Sequence, residues 1–296
     1  MEARVSALGQ IKAFGVKGTG SYGAGLSHCL LAMGYTVLDV MRPNRQLRYL
    51  YGKSDSLDAE GAARSLLNAQ ATAVAKTQTG SVEMIRYLKV ARDNAVKIRS
   101  QAIVTLKTLN VNAPTQLRDC LEQIKGQMAL IRHIAAMIPG EMTTPTISAK
   151  TAMRVIARPF LFLHAEIRTL DQEFATQVEL RAPTLVKAHG IGPMTAAEML
   201  ILAGDNNPER IKSEAALANI CGVCPIPASS GQTNRMRLNR GGNRQASAAL
   251  CRVAIVRMQG HEATQSYIAR RPFEGKSKRE IIRCMKRYLF HPGRSH

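Results

Sequence analysis

Apolar positions near the start of the chain follow two periods in turn. Residues 13–16 and 35–40 are short runs of the type found in strands, and they flank Ala24–Met33, which has helical spacing and stops at Gly34. A strand, a helix that ends at glycine and a second strand predict one β-α-β unit. A further helix is predicted from about Ser56 to Asn68, with Ser54 or Ser56 able to cap it.

Two later segments carry apolar residues that step alternately by three and four, as in a heptad seam. The first runs from Leu88 to Leu109 and the second from Ile156 to Phe174, with a Pro- and Thr-rich stretch, 139–145, between them. We expect two long helices, packed against each other or against a second copy of the chain, as a spacer between globular ends. The alternative is two ordinary core helices of a bundle.

The segment after Pro183 predicts a helix, a tight turn at Gly190-Ile-Gly192 and a new helix from near Thr195. This order is the signature of a helix-hairpin-helix motif, in which backbone N–H groups face a phosphate. A plain αα-hairpin also needs glycines at its turn and stays the alternative. A last helix is predicted from Glu280 to about Phe290, with Arg283, Lys286 and Arg287 on one side.

Charge narrows the choice of partner. The chain has 41 Lys and Arg against 21 Asp and Glu, a net charge of +20 and a pI near 10.2, so nucleic acid is the first partner to consider. No apolar run is long enough for a membrane span. Six scattered cysteines without a signal peptide predict a reducing cytoplasm, and Cys221 and Cys224 lack a second pair at zinc spacing.

Most of the candidate chemistry lies in one basic segment that contains no Asp or Glu. Ser229 and Ser230 precede a run of arginines in this segment. A serine here is either a hydroxyl that attacks a phosphodiester or a turn residue ahead of a nucleic-acid-binding helix. We expect four of these arginines to contact backbone phosphates, namely Arg235, Arg237, Arg240 and Arg244. The alternative is that they form a basic face exposed to solvent.

A glycine motif suggests a different function. Gly18–Gly23 fits G-x-G-x-x-G, follows a predicted strand and is trailed by Asp39, which together indicate a dinucleotide site. The net charge, the lack of further strands for a doubly wound sheet, and Lys17 at the strand end argue against it. A dinucleotide-binding enzyme is therefore kept only as the less favoured alternative.

Two carboxylates begin the helix predicted after Ser54. Asp55 and Asp58 are three residues apart, so both can point the same way and share a divalent cation. The alternative is structural: acidic residues are common in a first helical turn because they can cap it and interact favourably with the helix dipole. Two-metal phosphodiester chemistry wants three or four acids, so this pair is half a site.

Several motifs occur in the order seen in one family. The chain resembles the insertion-sequence transposases that pair an N-terminal RuvC-like acid domain with a C-terminal serine domain, relatives of the Piv-type DNA invertases. The resemblance covers nearly the whole sequence and is carried by Phe14–Leu26, Gly52–Glu60, Gly190–Ala196, Cys221–Gly231 and Gly241–Arg244.

The resemblance implies an α/β plus α fold. Residues 1–80 would form a partial RuvC or RNase H-like domain, 81–182 a coiled-coil-like helical spacer, and 183–296 a mostly helical serine domain with the helix-hairpin-helix. It also implies an Asp-Glu-Asp-Asp site that holds Mg²⁺, a serine that links covalently to DNA, a bridge-type guide RNA, and a homo-oligomer.

Site residues follow by motif. Asp55 and Asp58 match the last two acids of the tetrad, and Ser230 matches the nucleophile, with Ser229 in reserve. Lys17 stands where family members have Glu, and the strand with the first Asp should lie upstream of Phe14. We therefore expect an N-terminally truncated copy with a damaged metal site, and a non-catalytic nucleic-acid-binding protein is the alternative.

Overall fold

The computed structural model describes residues 9–40, 52, 54–205, 211–229 and 236–289. This part of the chain is mostly helical with few strands, in agreement with the helix-rich class expected from the sequence. It forms two compact units: Met84–Pro183 is one, and Met1–Glu83 joins Thr184–His296 in the other. Within the described ranges, no helix combines the length and apolarity that a membrane crossing needs.

The predicted β-α-β unit is confirmed. Strand β1 (Phe14–Lys17) pairs in parallel with β2 (Val37–Val40), and α1 (Ala24–Ala32) connects them. Phe14 lies opposite Val37, and Val16 lies opposite Asp39. The small core under this sheet consists of buried aliphatic side chains, namely Val16, Leu30, Val37 and Ala75.

Helix α2 (Asp55–Leu67) follows as predicted, and its start has the expected cap. The hydroxyl of Ser54 accepts a hydrogen bond from the Leu57 N–H at 3.3 Å, which satisfies one of the unpaired donors of the first turn. Ala62 is buried against Val40, so the helix covers one end of β2. This packing fixes where the two carboxylates of the first turn lie.

The second unit is built from long helices, but not as a simple pair. Helix α3 (Ser81–Val111) starts in the first unit, and α4 (Thr115–Glu122), α5 (Gln127–Ala136) and α6 (Pro145–Arg181) complete the second. Its main core includes Leu106, Leu121, Ile134, Met153 and Phe160. The short helices contribute to this core, so the ordinary-bundle alternative describes it better than a two-helix seam.

The two predicted seams differ in outcome. In α6 the seam is confirmed, because Phe160, Ile167 and Phe174 are all buried. In α3 the seam is partly wrong, since Ile98 is 47% exposed while Leu106, outside the predicted set, is buried. The two long helices are nevertheless linked side to side by Arg92 with Asp171 and by Arg99 with His164.

The C-terminal segment of the first unit is a set of short helices with one small hairpin. Its last predicted helix is confirmed, although it begins two residues earlier than expected. The elements are α7 (Pro183–Lys187), α8 (Pro193–Ala203), α9 (Glu214–Ile220), β3 (Ile226–Pro227), β4 (Met236–Arg237), α10 (Arg244–Gly260), α11 (Glu262–Arg270), a 3-10 turn (Arg271–Glu274) and α12 (Lys278–Tyr288). Helix α10 is central and packs against α8, α11 and α12.

The two sequence segments of the first unit meet at the start of α3. The backbone N–H of Val82 donates to the Asp205 carboxylate at 3.0 Å, so an acid 123 residues downstream caps this helix. Lys76 donates to the backbone carbonyl of Ile201 at the end of α8. These contacts bind the N-terminal segment to the C-terminal one.

Candidate nucleic-acid interface

A basic cleft opens between the β3–β4 hairpin and α12. Its volume is about 810 Å³, and its walls include the turn at Gly222–Pro225, strand β4 and the C-terminal half of α12. One carboxylate, Glu280, lines the cleft. Six cations line it as well, namely Arg237, Arg271, Lys276, Arg283, Lys286 and Arg287. We call this space the basic cleft.

The carboxylates around the basic cleft are already engaged. Glu280 accepts from the Ser277 N–H at 2.9 Å and from its hydroxyl at 2.7 Å, and these hydrogen bonds lower the pKa of Glu280. Glu274 accepts from Arg271 at 2.6 Å and pairs with Lys276 at 3.2 Å, and these bonds lower the pKa of Glu274. The oxygens of both acids are thus already hydrogen-bonded, and only Glu280 also attracts a further cleft cation, Arg283, without a salt bridge.

Four cations of the basic cleft form no salt bridge with any acid in the part of the chain that the structure describes. No carboxylate of the described residues lies within 4 Å of the charged groups of Arg237, Arg283, Lys286 or Arg287. Like charges gathered in one concave surface raise the local potential and attract polyanions. The cleft therefore has the electrostatics of a phosphate-binding surface.

One aromatic ring, Tyr288, lines the basic cleft, and a second, Tyr267, packs against two of the lining residues. The Arg271 guanidinium lies 4.3 Å from the centre of the Tyr267 ring, and Tyr267 meets Tyr288 edge to face at 5.2 Å. Burial, then the neighbouring Cys284, raises the pKa of the Tyr267 hydroxyl well above its ordinary value. These contacts hold Arg271 in place at the wall of the cleft.

The hairpin places one predicted arginine in the basic cleft. Arg237 lies on β4 opposite Ile226, is exposed and lines the cleft. Ser229 is exposed two residues after β3 ends. Ser230 and Arg235 lie outside the described residues. Ser229 therefore follows one strand of the hairpin whose other strand, β4, forms part of the cleft wall.

Two more predicted arginines, Arg240 and Arg244, are exposed between β4 and the first turn of α10. Arg244 is the first residue of α10, where the helix dipole favours an acid rather than a cation, and that first turn contains no acid. A cation at this position does not serve helix stability, which favours a role toward an external anion.

A contact between two glycines sets the position of this loop. Gly222 has φ of +65°, and a Cβ added to Gly242 would lie 2.1 Å from the Gly222 nitrogen. The Asn243 N–H donates to the Ile220 carbonyl at 2.7 Å, and the Asn243 side chain accepts from Ala246 N–H at 3.0 Å. Only glycine fits at this crossing, which explains two of the motifs that carried the family resemblance.

The Gly190–Gly192 turn packs on α10. Gly190 has φ of +82°, and Arg257 donates to the carbonyl of the preceding residue, His189, at 2.9 Å. Gly192 precedes α8 and its carbonyl accepts from Thr195 N–H at 3.0 Å. Thr195 is 7% exposed, so its side chain lies in the interior. Contact of this turn with a phosphate stays a prediction and would rely on the backbone near Gly192, which is exposed.

The acid pair has an unexpected partner. The Lys17 ammonium lies 2.7 Å from the Asp58 carboxylate, with side-chain exposures of 30% and 24%. Asp55, at the first position of α2, is exposed. Across the described ranges, no three or more His, Cys, Asp or Glu side chains cluster closely enough to hold a metal. A divalent cation does not fit at Asp58 while Lys17 occupies its oxygen, because the two cations would repel each other.

The glycine motif after β1 likewise gives little support to a dinucleotide site. The sheet that holds it has two strands in the described residues, extended by a single bridge between Leu38 and Val74. A doubly wound sheet needs several parallel strands. The close packing of Gly23, whose added Cβ would lie 2.4 Å from the Lys17 carbonyl, gives the glycine a packing role.

Sequence reasoning missed part of the basic cleft. It placed the Arg283, Lys286 and Arg287 cations on one side of the last helix, and their spacing of three and four was the available signal. It gave no role to Arg271 or Lys276, which approach the cleft only because α11 and the 3-10 turn pack beside α12.

The C-terminal segment is similar to a family of transposases. Residues 182–269 match the family described as Transposase IS116/IS110/IS902. A curated relative, the insertion element IS110 uncharacterized 43.6 kDa protein of Streptomyces coelicolor, is 28% identical over 149 residues. This match covers 49% of the chain and 35% of the relative, so the chain spans about a third of that protein. The matched residues extend from just before α7 to the end of α11, so the similarity includes the Gly190–Gly192 turn, the hairpin and α10.

Proposed function

We propose that this chain acts in DNA transposition as a transposase of an insertion sequence, which cuts and rejoins DNA through a serine nucleophile. One observation carries the proposal: Ser229 follows β3 of the hairpin whose second strand carries Arg237, one of six cations that line the basic cleft within or beside the matched residues. A phosphodiester backbone is the ligand that such a cleft favours.

The proposed chemistry needs a hydroxyl close to a held phosphate. The Ser230 hydroxyl, with Ser229 in reserve, attacks phosphorus, one P–O ester bond breaks, and the leaving sugar oxygen takes up the serine proton. A phosphoserine link and a free sugar hydroxyl result, and a sugar hydroxyl from another strand reverses the step to rejoin the DNA. Arginines near the serine would stabilise the charge on the phosphoryl oxygens.

Partners and cofactor belong to the same proposal. The net charge of +20 supports binding of more than one nucleic-acid segment, and the family resemblance adds a bridge-type guide RNA and a homo-oligomer. Mg²⁺ held by Asp55 and Asp58 stays a prediction from the resemblance alone, since Lys17 binds one of the two carboxylates. We therefore assign no step of the reaction to a metal.

A covalent-capture experiment tests this function. Purified chain is incubated with DNA from the element's end, the element's RNA and Mg²⁺, and then denatured. We expect a protein–DNA adduct that disappears in Ser230→Ala and persists in Ser229→Ala. An adduct that survives both single substitutions would contradict the serine assignment.

The second candidate is a non-catalytic nucleic-acid-binding protein. The Lys17–Asp58 ion pair favours it, because an acid site closed by a lysine lacks the metal that phosphoryl transfer commonly uses. This candidate predicts salt-sensitive binding without any adduct. The absence of an adduct from wild-type chain that still binds the DNA would favour it over the transposase.

A further inference from the structure

Lys286 is a buried cation that the proposed reaction does not use. It lies on α12, is 8% exposed, and its ammonium donates to the Ser247 hydroxyl of α10 at 2.6 Å. An ammonium has three N–H donors, so this single hydrogen bond leaves two. Buried lysines are normally paired with an acid, and in the described structure this one is not.

Arg287, next in sequence, has the same imbalance. Its Nη1 atom is buried and, among the described residues, has no hydrogen-bond partner. Both residues line the basic cleft, and the carboxylate nearest in sequence, Glu280, is held by Ser277. Two neighbouring cations with unused donors at one cleft wall indicate that an external acceptor completes them.

We propose that Lys286 and Arg287 form a site for one phosphate group of a nucleic-acid backbone in the basic cleft, separate from the arginines of the hairpin and α10. This inference rests on the proposed function for the class of ligand. Ser247 positions the Lys286 ammonium, and Arg287 supplies the planar donor pair that suits phosphate oxygens.

The chemistry of the cleft selects phosphate over other ligands. A metal ion would meet six cations and a single carboxylate, Glu280, which Ser277 already holds. A volume of about 810 Å³ exceeds what a free anion fills and admits a phosphate together with its flanking sugars. Burial of Lys286 lowers its pKa, and an anion held beside the ammonium would oppose that effect by favouring the charged form.

The salt dependence of binding tests the site on the full chain. A fluorescently labelled duplex from the element's end is titrated at several salt concentrations with wild type and with Lys286→Met/Arg287→Gln. Loss of one phosphate contact lowers the slope of log affinity against log salt by about one. The control Lys278→Met/Arg279→Gln removes two exposed cations from the first turn of the same helix and should leave the slope unchanged.

Two further measurements keep the test decisive. If circular dichroism shows that the double variant does not fold, the slope is measured with the single variant Arg287→Gln instead. Inorganic pyrophosphate should raise the melting temperature of wild type more than that of the Arg287→Gln variant. An unchanged salt slope together with equal pyrophosphate stabilisation would overturn the site. Because neither readout requires Ser230, the site can fail or stand independently of the covalent adduct.

Discussion

Gly222 and Gly242 cross with their backbones in direct contact: Gly242 has no room for a Cβ, and Gly222 has a φ of +65° with 3.1 Å between an added Cβ and the Gly242 Cα. The crossing lies between the end of α9 and the loop that carries Arg240 into α10. It therefore connects the packing of α9 to the placement of the arginines that follow β4.

Gly242→Ala should destabilise the protein, because its Cβ would lie 2.1 Å from the Gly222 nitrogen and 2.3 Å from the Gly222 Cα. Overpacking of this kind costs about 1–3 kcal/mol. Urea unfolding measures the change in free energy. The control Gly25→Ala, in α1 with nothing within 4 Å of the added Cβ, should be neutral or stabilising. Equal midpoints for Gly242→Ala and wild type would show that the loop moves freely.

The Lys17–Asp58 ion pair should contribute measurably to stability. Both side chains are less than a third exposed, and a partly buried pair of this kind contributes about 1 kcal/mol. A double-mutant cycle with Lys17→Met and Asp58→Asn isolates the interaction. A coupling free energy of zero would mean that the pair is an incidental contact.

Exchange of this lysine for an acid should create cation binding. We expect Mn²⁺ to raise the melting temperature of Lys17→Glu and to leave wild type unchanged, since the ammonium then no longer occupies the Asp58 carboxylate. Lys17→Met is the matched control, because it removes the ion pair without adding a ligand. Equal stabilisation of wild type by Mn²⁺ would contradict the exclusion of a metal at Asp58.

The arginines of the serine segment should set the salt dependence of DNA binding. Replacement of all four by Gln lowers the number of phosphate contacts, so the salt slope should fall by about three to four. Equal charge removal elsewhere should change it little. The substituted residues are Arg235, Arg237, Arg240 and Arg244, and the control residues, exposed on the second unit, are Lys97, Lys107, Lys125 and Arg168. A slope that falls equally in both variants would indicate a non-specific charge effect.

Cysteine reactivity should report the packing behind the basic cleft. Burial raises the pKa of Cys221 to about 11, with Lys286 opposing and Cys224 adding to the shift. The thiolate is the reactive form, so at pH 8 only about a thousandth of Cys221 is ionised. Iodoacetamide should label the exposed Cys29 and Cys120 first and Cys221 only after unfolding or at much higher pH. Rapid native labelling of Cys221 at pH 8 would show that this region opens.

Local patterns in the sequence predicted local structure well. The β-α-β unit, α2 with its Ser54 cap and α12 follow from spacing and capping residues that lie within each element. The seam expected in α3 was partly wrong because α4 and α5 supply the core that Leu106 joins, and their contribution is not visible in the spacing of α3 itself.

The candidate site shows the same division. The arginines of the serine segment stand out because they are close in sequence. The basic cleft could not be predicted in this way, since Arg237 and Arg271 are far apart in sequence and line the same cleft only because of the tertiary packing. The Lys17–Asp58 pair joins residues 41 positions apart. The sequence indicated that a lysine stands where a metal ligand was expected, but not that this lysine forms an ion pair with Asp58.

Because Asp205 caps α3 and the first unit draws on both ends of the chain, the order of synthesis constrains folding. The helical unit at 84–183 is contiguous and leaves the ribosome complete, whereas the N-terminal segment must wait for its C-terminal complement. Until then the β1–β2 sheet lacks the Lys76 and Asp205 contacts, so a nascent chain that stops before residue 205 should be the form most sensitive to proteases.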